Sequence, residues 1–142
     1  MGLVTYINFR KETEEVLGYY EKVLDGTEIE ILTFEQGMGD YPMPEEDKKL
    51  VMNATIKLFG TYVMMSDTPD SMGESFVAGN NYTLAIILND KEKLTSYFNA
   101  LKQDGKEVMP LQATSWSECY GMLTDKFGIT WQFNLSNDKR YL

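Results

Sequence analysis

Apolar positions along the chain switch from a period of two to a helical period and back, twice over. Leu3 to Phe9 is short, apolar and rich in β-formers, which predicts a strand. From Glu14 onward the apolar residues Val16, Leu17, Tyr20, Val23 and Leu24 fall on one helical face, and Gly26 stands where a C-terminal cap belongs. Thr27 to Phe34 alternates charged and apolar residues, as in Glu28-Ile29-Glu30-Ile31, and reads as a half-exposed strand. Gln36 to Lys49 reads as a polar loop carrying two Gly and two Pro. Val51 to Leu58 and Thr61 to Asp67 are predicted strands joined by a tight turn at Phe59-Gly60. Thr68 to Gly79, rich in Ser, Gly, Pro and acidic residues, reads as a solvated linker that includes Asp70 and Glu74 and begins beside Asp67.

The same order then returns. Tyr82 to Leu88 reads as a strongly buried strand, and Asn89-Asp90-Lys91-Glu92 resembles a capping box with Asn89 as the cap. Leu94, Tyr97, Phe98 and Leu101 form a helical face ending at Gly105. Glu107 to Leu111, Glu118 to Thr124 and Ile129 to Leu135 supply three further strands. Glu15 to Val23 aligns with Lys93 to Leu101 at an offset of 78, and Leu58-Phe59-Gly60 aligns with Lys126-Phe127-Gly128 at an offset of 68. Matches in the right order point to an internal duplication. The expected fold is therefore α+β, with two β-α-β-β-β modules whose curved mixed sheets surround a cleft. One domain spans 1–142, with module one at about 1–67, a linker at 68–80 and module two at about 81–142.

Composition narrows the chemistry. The chain has 142 residues, enough for one ordinary domain with a sizeable core. No run approaches the roughly 20 apolar residues of a membrane helix, and the first residues lack a signal-peptide pattern. A formal net charge of −9 argues against a nucleic-acid partner, whose phosphates call for clustered cations. The single Cys119 cannot form an internal disulfide, so a reducing cytoplasmic location is expected and Cys119 reads as a structural strand residue. The chain has no histidine, so a Ser-His-Asp triad and a Cys-His pair are both impossible within it. Any proton transfer falls to Asp, Glu, Tyr or Lys.

Thr5-Tyr6-Ile7-Asn8-Phe9, Tyr19-Tyr20 to Asp25-Gly26, Val51-Met52-Asn53-Ala54 and Met64-Met65-Ser66-Asp67 follow one another in a telling order. So do Met109-Pro110-Leu111-Gln112, Trp116, Tyr120-Gly121 and Asp125-Lys126-Phe127-Gly128-Ile129-Thr130-Trp131. In that order they resemble the PhnB-like branch of the vicinal oxygen chelate superfamily, the glyoxalase, bleomycin-resistance and dioxygenase proteins. The resemblance covers nearly the whole chain. It implies paired modules, commonly a homodimer, sometimes with modules swapped between chains. It also implies metal ligands on the first and last strands of each module, and relatives commonly carry His where Asn53 stands here.

At those positions this chain departs from the pattern. Period two puts Thr130, Gln132 and Asn134 on one face of the last strand, with Trp131 and Phe133 assigned to the core. The offset of 68 maps Gln132 onto Met64, while Tyr6 shares a face with Asn8, and Thr83 with Ala85. The set Asn8 or Tyr6, Met64, Thr83 and Gln132 holds no carboxylate and no imidazole, so no metal or other cofactor is expected. Asn53 and Gln132 each offer a donor and an acceptor, and Tyr6, Tyr62, Trp116 and Tyr120 offer flat apolar walls. The leading expectation is a small organic ligand bound in a cup between the modules. One alternative is a glyoxalase-like lyase, isomerase or dioxygenase-type enzyme with a non-His metal or acid–base site, drawing on Glu28, Glu30, Glu107 and Glu118. Another is a protein-interaction module acting through its dimer surface, with Met38, Tyr41 and Met43 exposed. Gly37-Met38-Gly39 lacks the third glycine and the strand-turn-helix setting of a dinucleotide loop. Glu45-Glu46-Asp47 reads as a solvated charge run, with residues 36–50 as a lid in the minority reading.

Overall fold

In the first module, helix α1, Thr13–Leu24, forms where Val16, Leu17, Tyr20 and Leu24 share one face, and all four are buried. A computed structural model describes residues 1–72 and 76–142 and divides the chain into two compact units, Met1–Val77 and Ala78–Leu142. In the first unit, strands β1 (Thr5–Phe9), β2 (Thr27–Thr33), β3 (Val51–Leu58) and β4 (Thr61–Asp67) form one sheet in the order β1-β4-β3-β2. Strand β1 runs parallel to β4, and the other pairs are antiparallel. α1 buries the face made by Ile7, Phe9, Ala54, Ile56, Val63 and Met65, each worth about 1.5–3 kcal/mol of transfer energy for its larger side chains.

The helix stop differs from the expected one. Asp25, not Gly26, takes the left-handed conformation (φ 54°), which a short polar side chain tolerates. A side chain at Gly26 would put its Cβ 2.5 Å from Ile56 Cδ1, so glycine leaves room for the buried Ile56 that a larger residue would force to shift. The predicted loop at 36–49 also contains structure. Helix α2, Phe34–Met38, is started by a capping box in which the Thr33 hydroxyl accepts from the Gln36 N–H and the Gln36 side chain accepts from the Thr33 N–H. A 3-10 turn follows at Glu45–Asp47, and Asp47, expected in solvent, is buried and receives a hydrogen bond from the Ser71 hydroxyl.

Asp67 is the larger correction. Expected beside solvated linker, it is 5% exposed and its two carboxylate oxygens accept the N–H groups of Thr13 and Val51, each at 2.9 Å. Thr13 opens α1, and the capping position Glu12 makes no side-chain cap, so the first turn of the helix needs an acceptor from elsewhere. One carboxylate thus ties the start of α1 and the start of β3 to the end of β4. The segment beyond it is held too: the Thr68 N–H reaches the Arg10 carbonyl at 2.9 Å, and the Arg10 guanidinium lies 5.0 Å from the Phe76 ring centroid. Glu74, read as linker, lies outside the described residues.

The second unit repeats the topology: β5 (Leu84–Leu88), α3 (Lys91–Asp104), β6 (Lys106–Gln112), β7 (Tyr120–Thr124) and β8 (Thr130–Leu135), with sheet order β5-β8-β7-β6. Leu94, Phe98 and Leu101 of α3 are buried, and Phe98 meets Phe133 edge to face with centroids 5.2 Å apart. Trp131 and Phe133 are in the core, as period two predicts. The cap of α3 is Asp90, whose carboxylate accepts the Lys93 N–H at 3.0 Å, and not Asn89. The first strand is less buried than expected: Ile86 is its one buried residue, and Tyr82 lies outside it, 54% exposed. The registers pair Leu58 with Thr61 across the first hairpin and Thr124 with Thr130 across the second. The closing hairpin of the second unit is therefore longer than the two-residue Phe59-Gly60 turn, and Asp125 fills it. Its carboxylate accepts from Phe127 N, Ile129 N and Trp131 Nε1.

Replacing Asp67 by Ala leaves two buried N–H groups without an acceptor and should cost about 2–4 kcal/mol of unfolding free energy in urea titration. Asp67→Asn, which keeps one acceptor, should cost less; equal losses, or no loss for either, would contradict the bridging role.

Candidate functional site

With α1 and α3 covering one side of each sheet, alternation sends the remaining side chains to the other side. In the second unit that far side carries a directed polar chain. The Tyr120 hydroxyl on β7 donates to Gln132 Oε1 on β8 at 2.7 Å, and Gln132 Nε2 donates to the Thr83 hydroxyl at 2.6 Å, just ahead of β5. Trp116 meets Tyr120 nearly edge to face, with centroids 5.3 Å apart. Its loop is pinned by Thr114, whose hydroxyl accepts from Ser117 N at 3.1 Å, while Thr114 N donates to the Ser117 carbonyl at 2.8 Å. Beside Gln132, the buried Oδ1 of Asn134 has no hydrogen-bond partner. Four residues singled out from sequence, Thr83, Trp116, Tyr120 and Gln132, are thus adjacent. Asn134 was placed on the correct face but not counted with them, although period two from Gln132 was the signal for it.

In the first unit the far side is organised in two rows. Tyr6, Met64 and Thr55 are neighbours across β1, β4 and β3, and Asn8 and Ser66 are neighbours across β1 and β4. Asn53 Nδ2 donates to the Tyr6 hydroxyl at 3.3 Å, and the Ser66 hydroxyl donates to Asn8 Oδ1 at 3.1 Å. Tyr62 lies further along the same face of β4, and its hydroxyl is committed to the Glu28 carboxylate. Lys57 Nζ completes this cluster at 3.1 Å from Glu28 Oε1. Glu28 sits at an irregularity in the β2–β3 register with φ 50°, a conformation an ordinary side chain adopts only under local constraint. The Tyr62 hydrogen bond, and after it the Lys57 ammonium, hold the Glu28 carboxyl below its usual range. The same carboxylate raises Lys57 and, through its hydrogen bond, raises the Tyr62 phenol.

Each unit also has a cleft of its own. One of about 360 Å³ is lined by Glu35, Asp40, Tyr41, Met43 and Lys48 in the first unit. The other, about 250 Å³, is bordered by Trp116, Glu118 and Asn137 in the second. The positions where the sequence resemblance implies metal ligands carry Tyr, Asn, Met, Thr and Gln. Among the described residues no three His, Cys, Asp or Glu side chains converge on a metal-sized site. Neutral amides and hydroxyls alone do not offset the desolvation of a divalent ion, so these residues do not fit a conventional centre. Gly37 does not fit a phosphate cradle either. A Cβ there would fall 2.2 Å from Met52 Cε, so the site is filled by the Met52 side chain, which would have to shift to admit a larger residue.

A family model described as 3-demethylubiquinone-9 3-methyltransferase matches residues 1–134. The chain belongs to this family, as a PhnB-like protein. Protein YjdN of Escherichia coli (strain K12) is 27% identical over 147 residues, covering 95% of each chain. Among solved structures, protein PA1353 from Pseudomonas aeruginosa is 30% identical with a TM-score of 0.79, over 94% of this chain and 96% of that one. The PhnB protein from Bacillus cereus is 27% identical with a TM-score of 0.72, over 96% of this chain and 100% of that one. A variant of the fosfomycin resistance protein FosX from Listeria monocytogenes, solved with Mn(II) and a dihydroxypropylphosphonic acid, shares the fold at 8% identity and a TM-score of 0.63, over 99% of this chain and 97% of that one. The PhnB-like members thus carry the same two-module α+β fold.

Because the folded state lowers Glu28, its contribution to stability is present above the unfolded carboxyl pKa and is lost as pH falls through the folded value. Tyr62 and Lys57 are raised, so theirs is present at lower pH and is lost as pH climbs through their folded values. Tyr62→Phe removes the largest cause at Glu28, and its carboxyl should titrate at higher pH in side-chain NMR. An unchanged Glu28 titration would rule out the hydrogen bond as the cause.

Proposed function

We propose that this PhnB-like protein binds a small organic molecule on the polar strand faces turned away from its helices, without a conventional metal centre. The observation that carries the reading is the chain from Tyr120 through Gln132 to Thr83, with the partnerless Asn134 Oδ1 beside it. A buried acceptor without a donor costs about 1–3 kcal/mol, a cost that a ligand N–H or O–H offsets. Reversing the Gln132 amide reverses the chain, so a hydroxyl hydrogen is left to donate at Thr83 in one orientation and at Tyr120 in the other. The group therefore suits a ligand with both acceptors and donors, flanked by the Trp116 and Tyr120 rings.

The Glu28–Lys57–Tyr62 cluster favours a second reading, a glyoxalase-like lyase or isomerase that uses these groups for acid–base work on a carbonyl substrate. The FosX complex supports the broader idea that this fold takes small oxygen-rich ligands, there together with Mn(II). The family's descriptive name points to a methyl transfer, for which Gly37 and Gly39 supply no nucleotide loop.

A thermal-shift screen over polar organic molecules should find compounds that raise the melting temperature. Gln132→Leu should weaken the best of them by roughly 10-fold or more, the loss expected for a buried polar pair left incomplete. Failure of every compound to shift the wild type, or undiminished binding to Gln132→Leu, would remove the basis of the reading. Saturable stabilisation by S-adenosylmethionine would favour the transferase instead. Stoichiometric divalent metal in untagged protein purified without chelator would favour the enzyme.

A further inference from the structure

The cleft beside Trp116 has a charge character of its own. It is lined by Trp116, Ser117, Glu118, Leu135, Ser136 and Asn137, with no Lys or Arg among them, and its volume is about 250 Å³. Trp116 is 65% exposed, an unusual setting for the largest apolar side chain. The indole is nevertheless held in place, by its ring contact with Tyr120 and by the Thr114–Ser117 turn beneath it. Ser117 is spent on the backbone: its hydroxyl lies 2.9 Å from the carbonyls of Cys119 and Leu135 and accepts the Cys119 N–H at 3.2 Å. The Glu118 and Asn137 side chains make no ion pair or hydrogen bond among the described residues. The nearby cation Arg140 is occupied, with its Nε 3.0 Å from both oxygens of Asp138.

An ordered, exposed indole next to an uncompensated carboxylate and an amide carbonyl is a complementary surface for an organic cation. The π face attracts positive charge, the carboxylate supplies a counter-charge and the small volume limits the guest to a compact head group. The net charge of −9 adds a long-range field of the same sign. We infer that the Trp116–Glu118–Asn137 cleft binds an organic ammonium group, that of a free small cation. The inference deepens the small-molecule reading and rests on it for Trp116, because Trp116 also borders the Gln132 group.

The chain has two tryptophans, so its nitrogen-15 spectrum contains two indole N–H signals. Trp116→Leu removes one and assigns it, and the persistence of the buried Trp131 signal reports that the variant is folded. Tetramethylammonium chloride, titrated against sodium chloride at matched ionic strength, should shift the Trp116 signal saturably and leave Trp131 unmoved. Glu118→Gln should weaken that binding about three- to fivefold, the scale of an exposed ion pair. Choline should bind more tightly than phosphocholine, whose phosphate meets Glu118. Equal shifts with sodium, unchanged affinity in Glu118→Gln, or phosphocholine binding as well as choline would each overturn the cation assignment. A lost cation response with retained Gln132-dependent ligand binding would sink this inference and leave the small-molecule reading standing.

Discussion

Everything in this protein depends on the alternation of side chains across four-stranded sheets, each covered on one side by its long helix, α1 or α3. In each unit the helix-facing positions are apolar and close-packed: Ile7, Phe9, Ile56 and Met65 under α1, and Ile86, Leu123, Trp131 and Phe133 under α3. The intervening positions are released from core packing and carry Tyr6, Asn8, Asn53 and Met64 in one unit and Tyr120, Gln132 and Asn134 in the other. A register slip of one residue would exchange the two sets, so core packing and site chemistry are fixed by one constraint.

Buried carboxylates hold that register at the sheet ends. Asp67 joins three elements of the first unit through two backbone N–H groups. Asp125 organises the closing hairpin of the second and holds the Trp131 indole. Both stand next to strand ends, where backbone donors lose their ladder partners, and both accept from those donors.

That difference explains what the sequence could and could not convey. Long periodic segments were legible: β3 and β4 begin and end where alternation says, and the α1 and α3 faces are the predicted ones. Asp67 was misread because an acid at the edge of a Ser-Gly-Pro-rich stretch has the composition of solvated chain, and only the distant Thr13 and Val51 N–H groups make it structural. Helix α2 was missed because Phe34 continued an apolar run, although Thr33 and Gln36 already spelled a capping box. On the site faces, strand period correctly grouped Gln132 with Asn134 and Tyr6 with Asn8. The Tyr62–Glu28 contact was illegible because it depends on the positive φ of Glu28, which no side-chain pattern encodes. The absence of histidine, visible at once, removes the imidazole from any site that this chain can build.

The central claim is that the polar face around Gln132 holds an organic molecule directly. Native mass spectrometry of the protein after incubation with a whole-cell metabolite extract tests it most directly. The account predicts a discrete added mass that is released as an organic compound on denaturation and is lost in Gln132→Leu. A bare chain from wild type, or an adduct that persists undiminished in Gln132→Leu, would contradict it.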